Sequence, residues 1–329
     1  MHMADALVSP LVGGTMWTVG GVALHYAYKK IKQEKNDKKL PLMGVLGAFV
    51  FAAQMINFTI PATGSSGHIG GGLLLAALLG PAAGFTTLAV VLLIQALFFA
   101  DGGLLAYGCN LINMGFFTSF LAYPLIFKPL VAANKSKGRI LLAAVLASVV
   151  GLQLGAFSVV LETSFSGISQ LPLRTFMLLM QPIHLAIGVV EGVLTAGVLS
   201  FVWQAQPLLA QASEDKVSVG KRLVAAFAVA AVLLAGGLSL AASEQPDGLE
   251  WSIAGLTGST EIENSNAWQE AAGAVQELTA FMPDYNLPLL GSSLGASVAG
   301  ISGVVLTGLA CLGLGKMVLH HKNKNVVRG

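Results

Sequence analysis

Long apolar runs separated by short basic links constrain this chain more than any other feature. Segments near residues 9–29, 41–58, 68–80, 82–100, 103–127, 139–161, 173–203, 221–242 and 291–318 are each almost free of charge. A bilayer core of about 30 Å takes about 20 helical residues, so most of these runs can span one. Only 10% of residues are charged and 55% are hydrophobic, against about 25% charged in soluble domains. The expected fold is an all-α integral membrane protein with about nine transmembrane helices. The run at 68–80 is too short to cross alone and is expected to be fed by a buried loop. The opening Met1-His2-Met3-Ala4-Asp5 lacks a basic stretch, so no cleavable signal peptide is expected.

Charge placement orients the spans. All the lysines and arginines except Arg174 fall in four places: 29–39, 128–139, 216–222 and 316–328. With nine spans these share one side, which the positive-inside rule makes cytoplasmic. The N-terminus is then outside, with the 58–68 loop, the turn at Asp101, the 162–172 link and a long segment at 243–290. That segment carries Glu244, Asp247, Glu250, Glu261, Glu263, Glu270, Glu277 and Asp284 without a basic residue. It could gather cations; a translocated loop that merely avoids basic residues would read the same way. The break at 204–220 is expected to be a cytoplasmic linker. It divides a seven-span unit, 1–203, from a two-span unit, 221–329. No internal repeat, Walker A motif or nucleic-acid-binding pattern is evident, so any ATPase is expected on another chain and no nucleic-acid partner is expected.

Three features could carry chemistry. The stretch Phe58–Gly72 holds Pro61, several glycines and His68; irregular backbone at membrane depth belongs where it is enclosed by protein or lines a cavity. The N-terminus places histidine second. A free Met1 amine, the His2 amide and the His2 imidazole can close five- and six-membered chelate rings, and His68 on the same side can supply a fourth nitrogen. Four nitrogens in a plane suit Ni(II) or Cu(II). Asn57, Ser66, Gln95, Asn110 and Asn113 are candidates to orient those groups. His184 and Glu191 share a face of the seventh span and are read as cross-helix hydrogen-bonding groups, with a part in the metal path as the other option. A rival reading takes Gly64-Ser65-Ser66-Gly67 as the nucleophile loop of an intramembrane serine protease, with Ser66 attacking and His184 as base.

With these residues in view, the chain resembles the nickel/cobalt substrate-capture (S) component of an energy-coupling-factor (ECF) ABC transporter fused to its two-span accessory subunit. The matching stretches are Met1-His2 with Asp5 and Ser9-Pro10, Ala52–Phe58, Gly64–Gly71, Gln95–Gly103, Gly108–Met114, and His184 through Glu191-Gly192. Pro246-Asp-Gly-Leu-Glu250 and Pro283-Asp-Tyr285 match the accessory subunit. The resemblance implies a seven-helix bundle with the N-terminus plugged back into it, and Ni(II) or Co(II) held as transported substrate by Met1, His2 and His68. It also implies a transmembrane coupling (T) subunit and a cytoplasmic ATPase pair as partners, in the plasma (inner) membrane of a prokaryote. On that reading the chain is a transport subunit and not an enzyme. Small residues allow close helix approach, so Gly13, Gly14, Gly20 and Gly21 with Gly70, Gly71 and Gly72 are expected to face a partner.

Overall fold

A computed structural model describes residues 1–34, 36, 39–132, 136–168, 170–205, 220–287 and 292–320. Most of the expected linker, and the basic residues Lys35, Lys38, Lys135, Lys216, Lys322, Lys324 and Arg328, lie outside the described residues. A helix occupies each apolar run. These are α1 (Pro10–Glu34), α2 (Leu40–Gln54), α3 (Gly72–Leu79), α4 (Pro81–Phe99), α5 (Tyr107–Ala132), α6 (Lys137–Phe165), α7 (Leu173–Ala205), α8 (Lys221–Gly236) and, last in the chain, a helix at Ser292–His320. Among the described residues α4 to α7 and the final helix are long and apolar enough to cross a membrane by themselves. The chain is a multi-pass membrane protein.

The structure adds detail at two of these stretches. The second run does not stay helical to residue 58: α2 stops at Gln54, and the loop folds into a hairpin of β1 (Phe58–Ile60) and β2 (Ser65–Gly67). The two strands are antiparallel, with Phe58 opposite Gly67 and Ile60 opposite Ser65. The acidic 243–290 segment is not a featureless loop. It forms α9 (Gly248–Thr257) and α10 (Ala267–Thr279), which makes the final helix α11. Asp247 and Glu250 close a reciprocal capping box at the start of α9, and Asn266 caps α10, each satisfying N–H groups that a helix start leaves unpaired.

Close packing is set by small residues. On α7, Gly188 and Gly192 lie against Val149 and Val145 of α6. Gly44 and Gly47 of α2 receive Leu312 and Cys311 of α11, and Gly303 of α11 leaves room for the Phe51 ring. Phe49 of α2 meets Phe227 of α8 edge-on. The accessory helices α8 and α11 are thus packed on α2 of the larger unit. Most of the glycines expected to face a partner are spent inside this chain. Gly13 abuts Leu105, Gly20 abuts Leu111, Gly70 faces Glu191, Gly71 faces Val50, and Gly72 is closed off by Thr118 and Met114. Gly14 and Gly21 alone of that set have nothing within 4 Å of a would-be Cβ.

The N-terminal segment is buried, as the resemblance implied. Met3 and Val8 are fully enclosed, with Met1, Ala6 and Leu7 nearly so. Backbone hydrogen bonding seats it: Gly103 N donates to the Met3 carbonyl at 2.8 Å, and Ala106 N donates to Asp5 Oδ1 at 3.0 Å. The pieces assigned by sequence to the outer side come together at one end of the bundle. The hairpin touches residues 243–247, His2 touches Asp101, and Ser9 N donates to Ser166 Oγ at 2.9 Å.

Candidate metal centre

The hairpin delivers His68. Pro61 opens its turn and Gly64 adopts φ +73°, a conformation that residues with a Cβ avoid. Gly67 does not need such an angle. Its role is space, because a Cβ there would strike Ile187 of α7. After His68 the chain turns sharply through Gly71 at φ +75° into α3. Glu191 of α7 holds this turn by accepting hydrogen bonds from Gly70 N at 2.8 Å and Gly71 N at 3.0 Å. The cross-helix role expected for Glu191 is therefore specific: one buried carboxylate fixes the backbone that carries the imidazole.

Three groups meet over this turn. The Met1 amine is 3.3 Å from His68 Nε2. The His2 and His68 rings stack, with centroids 5.1 Å apart and planes 17° from parallel. His68 Nδ1 sits 3.1 Å from the Ile69 carbonyl, which leaves Nε2 as the atom facing the amine. Burial pushes the His68 imidazole down to about 3, assisted by the neighbouring ammonium and by His2; burial also lowers His2, against the pull of Asp101. Both rings are thereby kept neutral, the form that ligates a metal.

Two acids missed by the sequence reading complete the site. Asp247 Oδ2 accepts from the Met1 amine at 2.6 Å and stands 4.0 Å from His68 Nε2. Its other oxygen caps α9 through Leu249 N and Glu250 N. Burial alone would raise this carboxyl, but the hydrogen-bonded Met1 ammonium outweighs it and holds Asp247 well below the usual carboxylate range. Asp101 Oδ1 lies 3.1 Å from His2 Nδ1, while its Oδ2 accepts from the Tyr285 hydroxyl at 2.6 Å. The accessory segment therefore reaches the centre twice. It is brought there by the hairpin: Ser66 N donates to the Pro246 carbonyl at 2.8 Å and Ser66 Oγ to the Gln245 carbonyl at 2.7 Å. The Pro246–Glu250 motif was visible as a match to the accessory subunit, but nothing in it pointed to the Met1 amine.

The expected orienting residues act mostly on the N-terminus, not on His68. Asn110 clamps the Met3 backbone, accepting from its N–H at 2.7 Å and donating to its carbonyl at 3.1 Å. Asn113 donates to Glu162 at 2.7 Å and lies against the Met3 sulfur. Gln95 stands beside His2 and Tyr285 with its buried amide group otherwise unpartnered. Asn57 contributes its carbonyl to Ser243 N, and Ser66 holds the accessory strand. The protease arrangement is absent. Ser66 Oγ is committed to Gln245, His184 Nδ1 faces the Met180 carbonyl of its own helix at 2.8 Å, and no hydrogen bond joins the two.

A cavity of about 760 Å³ opens over the centre. His2 and His68 line it together with Asp101, Asp247, Glu250, Glu261, Glu263 and Asp284, and no lysine or arginine is among its described lining residues. The acidic segment is thus folded around the approach to the two imidazoles.

A bundle of apolar helices with a buried amine, two neutral imidazoles and an acidic mouth defines a membrane protein built to take up a cation. The chain belongs to the family described as the cobalt uptake substrate-specific transmembrane region, CbiM, which matches residues 2–209; a PDGLE domain matches residues 221–320. A relative in Archaeoglobus fulgidus, assigned as a fused nickel transport protein NikMN, is 32% identical over 93% of this chain and 95% of its own length. The fused nickel transport protein NikMN of Rhodobacter capsulatus is 29% identical over 84% of this chain and 81% of its own. A crystal structure of a transition metal transporter is 29% identical, covering 64% of this chain and 97% of that one, with a TM-score of 0.56. These relatives are named as transport proteins, and none of these names describes a protease.

Proposed function

We propose that this chain captures Ni(II) or Co(II) at the outer face of a prokaryotic plasma membrane and passes it inward as the substrate-specific subunit of an ATP-driven ECF importer. The observation that carries the reading is the meeting of the Met1 amine, His2 and His68 in one buried spot, 3.3 Å separating amine and imidazole. The final ligand set is the Met1 amine, the His2 amide, His2 Nδ1 and His68 Nε2. To reach it, the His2 ring leaves Asp101, because Nδ1 now faces that carboxylate. Planar nitrogen ligation of this kind suits Ni(II), and the fused relatives are named for nickel. A transmembrane coupling subunit and a cytoplasmic ATPase pair supply the energy. The exposed α1 face bearing Gly14 and Gly21 is what remains of the expected docking set, beside the exposed Val22 and Tyr26.

Elemental analysis of purified protein tests this. The native chain retains about one Ni or Co per molecule after desalting, and His68→Ala retains none. Adding Gly before Met1 moves the amine out of a space already closed by Asp247 and His68. That form loses nickel uptake even where it binds ion through a chelate of its own. Normal uptake by the extended protein would exclude the Met1 amine as a ligand.

A further inference from the structure

The contact between Met1 and Asp247 does more than pair two charges. The Met1 nitrogen, His68 Nε2 and Asp247 Oδ2 are separated by 3.3, 2.6 and 4.0 Å, taken as amine to imidazole, amine to carboxylate and imidazole to carboxylate. Those three separations define one point about 2.0 Å from each atom, the bond length of Zn(II)-like divalent ions to nitrogen and oxygen. Seen from that point, His68 Nε2 and Asp247 Oδ2 stand about 170° apart with the amine between them, which makes three corners of a square plane. Among the described residues no three His, Cys, Asp or Glu side chains converge this way; the backbone amine supplies the third donor.

The fourth corner is vacated in a definite manner. His2 is turned aside onto Asp101, which Tyr285 of the accessory segment holds in place. The same segment thus presents one carboxylate to the amine and another to the imidazole that the final ligand set requires. Asp247 cannot drift, because its Oδ1 is fixed by two α9 amides and its backbone bridges to Ser66 of the hairpin that carries His68.

We propose that Asp247 of the accessory segment is a metal ligand in a capture site, in which an incoming divalent transition-metal ion is bound by the Met1 amine, His68 Nε2 and Asp247 Oδ2 before His2 engages. On binding, the ammonium releases one proton to water; its freed lone pair and the carboxylate both turn to the ion, and the N–H···O contact between them is replaced by two bonds to metal. His2 then leaves Asp101, its backbone amide gives up its proton to water, and the amide and imidazole nitrogens displace the carboxylate. The accessory unit acts in this scheme as the loading device, supplying a harder oxygen donor that exchanges more readily than the nitrogens. The inference rests on the reading of Met1 and His68 as ligands and adds a residue and an order of events to it.

The test uses the full chain purified in detergent, with Ni(II) or Co(II) alone as probe. In His2→Gln the final set cannot form, the larger second residue keeps Met1 in place, and the capture site is what remains. That variant is expected to hold one ion more weakly than native protein, and adding Asp247→Asn is expected to weaken it by at least a further tenfold. Asparagine keeps the cap on α9 but brings no charge. Adding Asp247→Glu instead keeps a carboxylate while giving up the better cap, and is expected to recover part of the binding. The visible bands of bound Co(II) in His2→Gln should change on Asp247→Asn. In native background Asp247→Asn should slow nickel capture in rapid mixing by about tenfold or more. If His2→Gln binds with equal strength whether residue 247 is Asp or Asn, Asp247 is an ion-pair partner only and the capture site is overturned. Absence of bound ion in the native chain would instead overturn the functional reading beneath it.

Discussion

At the residue level, the centre is governed by how burial sets protonation. His68 is held neutral because its surroundings exclude water and place the Met1 ammonium beside it. The consequence for the metal-free protein has a definite sign. If the N-terminal segment unseats, His68 returns toward its ordinary value of 6.5. Between that value and about 3 the unseated state takes up a proton that the seated state refuses, so seating weakens as pH falls. His2, also lowered by burial, acts in the same direction. Asp247 adds to this at lower pH, since its contribution is present above the normal carboxylate value and is lost as pH falls below it. Seating free energy should drop by up to about 1.4 kcal/mol per pH unit for each histidine below pH 6.5. Hydrogen exchange at the Gly103 amide, which bonds to the Met3 carbonyl, reads this out once intrinsic rates are divided away. Equal protection at pH 7 and pH 5 would contradict it.

Secondary structure supplies the precision. The hairpin and the Gly70-Gly71 turn are short, yet each is pinned by partners distant in sequence: Ile187 over Gly67, Glu191 on the Gly70 and Gly71 amides, and the 245–247 strand along Ser66. Gly71 is the most constrained position, combining φ +75° with Val50 only 2.6 Å from a would-be Cβ. Gly71→Ala should cost about 2–4 kcal/mol from left-handed strain and overpacking together. The same change should lower nickel occupancy, because the turn sets the His68 ring. Thermal unfolding in detergent and metal content on one preparation check both; an unchanged melting temperature would show that the turn relaxes freely. Glu191→Gln keeps one acceptor for the two amides and should be milder on both readouts.

For the molecule as a whole, the accessory unit is an integral wall of the site. Helices α8 and α11 pack on α2, while the segment between them covers the N-terminal plug: Gln269 donates to the Val8 carbonyl at 3.0 Å, and Gln276 to the Ala96 and Gly102 carbonyls. The acidic residues of that segment that line the cavity raise the local cation concentration in a way that salt screens. The orientation proposed for uptake requires this end to face outward. A single cysteine at Ser265, introduced after replacing Cys109 and Cys311, should react with an impermeant thiol reagent in intact cells. One at Lys30, near the end of α1, should react only after lysis. The opposite pattern would put the cavity on the cytoplasmic side and is incompatible with an importer.

Much of this was legible in the chain itself. Apolar runs of spanning length and near-exclusive basic links specify helices in a bilayer, because the backbone there has no other way to satisfy its polar groups. The bonding capacity of an amine followed by histidine is likewise a local property, and it singled out Met1, His2 and His68. What only the tertiary structure decided is who meets them. Asp247 lies 246 positions from Met1, and no periodicity links the two. In the sequence the Asp-Gly-Leu-Glu string reads as a signature of the accessory subunit, without any reference to metal. Asn110 reads as a polar insertion in an apolar run until the buried N-terminus supplies the Met3 backbone that it clamps. Most of the glycines expected to face a partner were turned inward by the same cause: a small residue permits close approach, but packing of the whole bundle chooses which helix approaches.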